Sequence, residues 1–140
     1  MKYVVVKVLI VLPILRRLGW DTENSEEVFP EYSVEAKRVD FALRLKNSNY
    51  FFLEVKNPGQ DVENHQEQLL NYSFRQGVEL ATLTNGMTWL FYLPMKKGDW
   101  KARKFYTIDI IQQDSNDVVS KFIDLLSRDN VQSGKAVQHA

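Results

Sequence analysis

Apolar residues recur at helical spacing at the start of the chain. The pattern predicts a helix over residues 2–18 whose buried face carries Val4, Val8, Val11, Leu12, Leu15 and Leu18. Pro13 predicts a kink or a break in this helix, and Gly19 predicts its end. Lys7 interrupts the apolar run, and the remaining run, residues 8–15, is far too short to span a bilayer. A buried helix is therefore favoured over a signal peptide, and no membrane association is expected.

Short stretches of alternating pattern follow this helix. Residues 21–27 predict an exposed loop, and residues 28–34 predict an edge strand, because Pro30 is poorly tolerated in a central one. Residues 37–45 alternate, which predicts a strand with one apolar and one polar face. The apolar face would carry Val39, Phe41, Leu43 and Leu45, and the other face Arg38, Asp40, Ala42 and Arg44. Residues 46–49 predict a turn into a strand over residues 50–56, so that the two strands form a hairpin.

The rest of the chain continues this mixture of helices and strands. A helix is predicted over residues 61–77, ending at Gly77, and a closing helix over 116–128. Strands are predicted at 78–85, 88–94 and 105–110, with a basic loop at 96–104. We expect one domain over residues 1–128, a single α/β sandwich around a mixed sheet, and a flexible or truncated tail over 129–140. The helical connection from the strand at 50–56 to the strand at 78–85 predicts a parallel crossover.

Composition excludes some chemistry. The 140 residues contain 18 basic and 18 acidic side chains, so the net charge gives no indication of a polyanionic partner. The absence of cysteine excludes disulfides, thiolate metal sites and cysteine nucleophiles, and it fits a cytoplasmic location. No GxxxxGK[ST] phosphate-binding loop occurs, so no ATP site is expected in this chain.

The candidate chemistry lies on the predicted hairpin. Glu54 and Lys56 stand two residues apart on a strand, so their side chains point to the same face. Asp40 and Glu54 are symmetric about Asn47, which would place them as cross-strand neighbours roughly 5 Å apart between Cβ atoms. Two carboxylates this close repel unless a cation lies between them, and Mg²⁺ or Mn²⁺ suits such oxygen ligands. The alternative is an ordinary solvated strand face.

These residues, taken together, resemble a known nuclease superfamily. Asp40, then Glu54-x-Lys56, then a helix carrying Gln68 and Tyr72 is similar to the pattern of PD-(D/E)XK nucleases. More specifically, the chain looks like the N-terminal nuclease domain of type I restriction enzyme R subunits and their small relatives, and the resemblance covers roughly residues 8–110. Supporting segments are "LPILRRLGWD", "FPEYS", "RVDFAL", "FLEVK", "QLLNY", "GVELATLTNG" and "WLFYLP". Val39 replaces the proline that names the superfamily.

The resemblance implies a fold and a reaction. It implies a restriction-endonuclease-like, three-layer α/β sandwich that hydrolyses DNA phosphodiester bonds with Mg²⁺, for which Mn²⁺ could substitute. Asp40, Glu54 and the backbone carbonyl of Val55 would bind the metal, and Lys56 would position the attacking water. Gln68 and Tyr72 would help to position DNA or metal. Many relatives carry a glutamate on the first helix, whereas residues 1–20 here contain no acid. Glu31 is the best substitute and Glu35 the next, and the alternative for either is a surface carboxylate.

Contacts with partners are predicted in two basic segments. The first is the Lys37–Arg38 pair, and the second is the loop around Trp100, with Lys96, Lys97, Lys101 and Arg103 as candidates for contacting a DNA backbone. The loop could equally be solvated. A homodimer or other restriction-system subunits are possible partners. The alternative function is an inactive nuclease-like module that binds DNA or protein within a restriction complex.

Overall fold

A six-stranded sheet forms the centre of the protein. The computed structural model describes residues 2–57 and 66–140. The strands lie in sequence order: β1 (Val28–Val34), β2 (Lys37–Leu45), β3 (Ser48–Val55), β4 (Leu80–Thr84), β5 (Thr88–Tyr92) and β6 (Lys104–Asp109). Only β3 and β4 pair in parallel; the other neighbours are antiparallel. The predicted mixed sheet, edge strand β1, hairpin and parallel crossover are therefore confirmed.

Helices cover both faces of this sheet. They are α1 (Lys2–Val6), α2 (Leu12–Arg17), α3 (Gln66–Arg75), α4 (Trp100–Arg103), α5 (Ser115–Leu126), α6 (Arg128–Ser133) and α7 (Lys135–Gln138). Residues of α2, α5, α6 and α7 pack on one face, and residues of α3 pack on the other. The predicted helix over 61–77 corresponds to α3, and its first part, 61–65, lies outside the described residues. Each helix in the described ranges is too short or too polar to cross a bilayer.

The first helix contains a π-helical turn. This turn, Lys7–Val11, joins α1 to α2, and Pro13 stands in the first turn of α2. Proline lacks the N–H that an uninterrupted α-helix needs at that position, and the α-helical pattern is interrupted just before Pro13, by the π-helical turn and without a gap in the helix. The wider turn also shifts the phase of the helix. As a result Val6, Val11 and Leu15 are buried, whereas Val4 and Val8, predicted to be buried, are about half exposed.

The two faces of the sheet hold separate parts of the core. Phe51, Leu53 and Val55 of β3 face α2 and α5, while Phe52 between them faces α3. Trp20 and Trp89 lie on the same face as Phe51, Leu53 and Val55 and are almost fully buried. Val39 was predicted to share the apolar face of Phe41 and Leu43, but it packs with Ala42 on the α3 side. The alternation of β2 breaks at Asp40. The residue opposite on β1 is Glu31, whose φ is 50°.

The C-terminal segment, predicted to be a flexible tail, forms two short helices. Residues 128–138 form α6 and α7, and Val131 and Ala136 are buried in the core. Ser127 caps α6 by accepting a hydrogen bond from the Asn130 N–H, and Gly134 joins the two helices with a φ of 86°. Burial of Val131 and Ala136 orders a segment whose polar composition predicts a flexible tail.

Gly86 allows the first helix to approach the β4–β5 turn. Its φ is 98°, and a Cβ placed there would lie 3.1 Å from both Val6 Cγ1 and Ile10 Cδ1. Gly77 has a φ of 71°, but a Cβ there would meet open space. We expect Gly86→Ala to lower the free energy of unfolding by roughly 2–3 kcal/mol and Gly77→Ala by about 1 kcal/mol. Urea denaturation followed by circular dichroism measures both, and equal losses would contradict the packing argument.

Candidate functional site

Three carboxylates occupy facing positions on the first three strands. The β1–β2 pairs Pro30–Phe41 and Tyr32–Val39 place Glu31 opposite Asp40. The β2–β3 pair Phe41–Leu53, continued by one residue, places Asp40 opposite Glu54. Glu31 has a φ of 50°, a left-handed conformation that is uncommon for a residue with a side chain. The register predicted about Asn47 thus matches the structure at Asp40 and Glu54.

Asp40 and Glu54 are joined by hydrogen bonds across the two strands. The Val55 N–H donates to Asp40 Oδ2 at 2.6 Å, and the Asp40 N–H donates to Glu54 Oε1 at 3.2 Å. Each carboxylate therefore accepts a bond from the backbone of the opposite strand. Asp40 is 3% exposed and Glu54 is 22% exposed. The pair is thus held rigidly at one end of the hairpin, with Glu54 nearer the surface.

The environment of Asp40 favours its neutral form. Burial raises the pKa of Asp40 to about 8, and Glu54 acts in the same direction through a side-chain hydrogen bond and through its charge. The Val55 N–H and the Lys56 charge oppose this rise in pKa. A carboxyl pair with a raised pKa is a site that favours nearby positive charge, from a proton, an ammonium group or a metal ion.

Two lysines approach this carboxyl pair from different sides. Lys56 follows β3, and its Nζ lies 3.9 Å from Glu54 Oε2. Its backbone N–H donates to the Thr84 carbonyl at 2.8 Å, which fixes the end of the strand against β4. Lys7, in the π-helical turn, places its Nζ 3.0 Å from Asp40 Oδ1. The sequence patterns did not assign Lys7 to the site; the signal was a lone charge within an apolar helix.

The two carboxylates Asp40 and Glu54 suit Mg²⁺, which needs few protein ligands, better than they suit a metal that needs many. Glu31, the predicted third ligand, is 60% exposed, and its Oε1 accepts a hydrogen bond from Arg38 Nη1 at 2.6 Å. Across residues 2–57 and 66–140, no three His, Asp or Glu side chains converge as a metal-binding group. Mg²⁺ usually keeps several waters and uses only one or two protein carboxylates, which the facing pair Asp40 and Glu54 could provide.

Gln68 and Tyr72 line a polar cleft beside α3 that is separate from the carboxyl pair. They line a cleft of about 720 Å³ together with Lys37, Gln66 and Arg75 among others. Tyr72 is buried and stacks on Phe52, with ring centroids 5.4 Å apart, and burial raises its pKa. Gln68 is exposed, whereas Gln66, which the sequence analysis did not select, is buried with its side-chain oxygen unbonded. Asp40, Glu54 and Lys56 are not among the described residues that line this cleft.

The predicted DNA-contacting residues divide into two groups. Lys37 is exposed at the cleft, and the exposed Arg38 is paired with Glu31. Lys96, Lys97 and Lys101 are exposed on the segment between β5 and β6. Arg103 braces that segment, because its guanidinium donates to the carbonyls of Gly98 and Pro94. A second cleft, lined by Trp100 and Arg103, shares Glu67 and Asn71 with the first, so the two groups border one surface of α3.

Comparison with known proteins finds a similar fold in a restriction enzyme. No protein-family model and no curated protein matches the chain. A solved structure from Vibrio vulnificus YJ016, described as a fragment of a putative HsdR subunit of a type I restriction enzyme, is similar with a TM-score of 0.52. The match has 20% sequence identity and covers 67% of this chain and 21% of that chain. The two proteins share a fold over that region, and the present chain spans about a fifth of the other chain's length.

Proposed function

We propose that this chain is a metal-dependent DNA endonuclease domain of a restriction system, with a restriction-endonuclease-like α/β sandwich. The observation that carries the proposal is the carboxyl pair Asp40 and Glu54, joined across β2 and β3 with the Lys56 ammonium beside Glu54. The likeness to a fragment of a type I restriction subunit supports it. Because the match covers 21% of that chain, other restriction subunits or domains are proposed as partners.

The proposed reaction assigns a role to each residue of the pair and to Lys56. Asp40, Glu54 and the Val55 carbonyl would hold Mg²⁺, which when bound supplies positive charge to the scissile phosphate. Lys56, one step beyond the strand and 24% exposed, would position the attacking water and stabilise negative charge. Glu31 could add a ligand only by giving up its contact with Arg38.

The surface around α3 suggests how DNA would reach this site. Gln68 and Tyr72 on one side and the basic segment around Trp100 on the other border the same helix. We propose that the DNA backbone follows this surface, with Lys37, Lys96, Lys97 and Lys101 contacting phosphates. Arg38 and Arg103 are already engaged with Glu31 and with backbone carbonyls, so their contribution to DNA binding would be smaller.

Nicking of supercoiled plasmid DNA tests the proposed function. We expect purified protein to convert supercoiled plasmid to the nicked form in Mg²⁺ or Mn²⁺ and to be inactive in EDTA, because the carboxyl pair needs a bound cation. Nicking that persists in EDTA would refute metal dependence. Metal and DNA binding without any nicking would refute the endonuclease and favour a non-catalytic binding module.

The binding module is a second candidate because one observation favours it. The Lys7 ammonium already contacts Asp40 without any metal, and the described residues bring together no three-ligand group. A nuclease-like fold with a permanently paired aspartate would keep its DNA-binding surface while losing its chemistry. DNA affinity that is the same in EDTA and in Mg²⁺, together with absent nicking, would support this second function.

A further inference from the structure

Lys7 is the most unusual charged residue in the first helix. It is the only charged side chain between Tyr3 and Leu15, and it lies in the π-helical turn. Its side chain is 14% exposed, and its Nζ lies 3.0 Å from Asp40 Oδ1 and 5.9 Å from the centre of the Phe41 ring. Single π-helical turns are often found at functional sites. The turn therefore directs a partly buried ammonium towards Asp40.

The carboxylates that act on the pKa of Lys7, Glu31 and Glu54, are also candidates for binding the metal in the proposed function. Burial lowers the pKa of Lys7, while Glu31 and Glu54 raise it and Arg38 lowers it. With Asp40 in direct contact, the ammonium is within electrostatic reach of all three carboxylates on β1, β2 and β3. A cation at this position relieves the repulsion between the carboxylates, which is also what a bound metal would do.

We propose that the Lys7 ammonium occupies the cation position at Asp40 in the metal-free protein, and that Mg²⁺ or Mn²⁺ binds by displacing it. This inference rests on the proposed metal site. Asp40 Oδ2 is engaged by the Val55 N–H, and Lys7 occupies Oδ1. A divalent ion bonded to Asp40 would lie within a few Å of the ammonium, and the two positive charges would repel each other. Lys7 is thus a positioning residue that sets the metal affinity of the site.

Calorimetric titration with Mn²⁺ tests this role of Lys7. Lys7→Met keeps the length of the side chain and removes its charge, so we expect at least about tenfold tighter Mn²⁺ binding than in the wild type. Lys7→Gln, which keeps a neutral donor for Asp40, should behave in the same way and serves if Lys7→Met folds poorly. Lys7→Arg keeps the charge and should retain weak binding. Lys135→Met, on the exposed surface of α7, is the matched control and should leave the affinity unchanged.

The outcomes separate this inference from the proposed function. If the wild type binds Mn²⁺ clearly and both neutral variants bind it equally or more weakly, the metal does not displace Lys7. That result would overturn this inference and leave the proposed metal site standing. Absence of Mn²⁺ binding in the wild type and in both neutral variants would overturn the proposed metal site and this inference together. Binding that appears only when Lys7 is neutral would support the inference most directly.

Discussion

Lys56→Met should reduce plasmid nicking by about 100-fold or more while leaving Mn²⁺ binding intact. Lys56 is 24% exposed, and its Nζ is 3.9 Å from Glu54 Oε2, so it can turn towards a bound phosphate without a large rearrangement. A positioned donor that stabilises developing charge typically contributes factors of about 10²–10³ to the rate. Removing the ammonium also removes a positive neighbour of Glu54, so metal affinity should stay the same or rise.

Initial nicking rates at saturating Mg²⁺ measure this effect of Lys56. Lys121→Met is the matched control, because Lys121 lies over the Tyr106 ring and not at the carboxyl pair. It should nick DNA at the wild-type rate. Asp40→Asn should lose both nicking and Mn²⁺ binding, which distinguishes a metal ligand from a residue that acts on the substrate. Wild-type nicking by Lys56→Met would remove Lys56 from the proposed mechanism.

The sheet could be predicted because its signals are local. Alternation in residues 37–45, a polar turn and a second apolar stretch specify a hairpin. Symmetry about Asn47 matches the facing of Asp40 and Glu54, but a register shift between Leu43 and Arg44 separates this pair from the turn. The helical connection between two apolar strands predicted the parallel pairing of β3 and β4. The hairpin and the parallel pairing depend on residue spacing, which a sequence shows directly.

The errors arose where geometry departs from a regular period. The π-helical turn changes which residues of the first helix face the core, so Val4 and Val8 are half exposed. The distortion at Glu31 accompanies the change of face at Val39. Neither irregularity is encoded by a distinctive residue. Lys7 could have been selected, because a lysine within an apolar helix requires a partner when it is buried.

Asp40 should make the metal-free protein less stable as the pH rises. An aspartate in an unfolded chain titrates near a pH of about 3.9, whereas the pKa of Asp40 in the folded protein is about 8. Between these values the folded protein binds a proton that the unfolded chain does not. The stabilisation is complete below the unfolded pKa and is lost as the pH rises through the folded pKa. The two pKa values correspond to a loss of at most about 4 kcal/mol between pH 5 and pH 8.5, and the Lys7 ammonium, which favours the carboxylate, reduces this loss.

Urea denaturation in EDTA at pH 5 and at pH 8.5 measures this loss, with Asp40→Asn as the decisive variant. The amide cannot ionise, so the variant should lose less of its unfolding free energy between the two pH values than the wild type, by up to about 4 kcal/mol. Groups distant from Asp40 contribute equally in both proteins and cancel in the comparison. Asp129→Asn, on the exposed surface of α6, should keep the wild-type dependence. The same slope in Asp40→Asn and wild type would show that Asp40 is ionised throughout, already neutralised by Lys7.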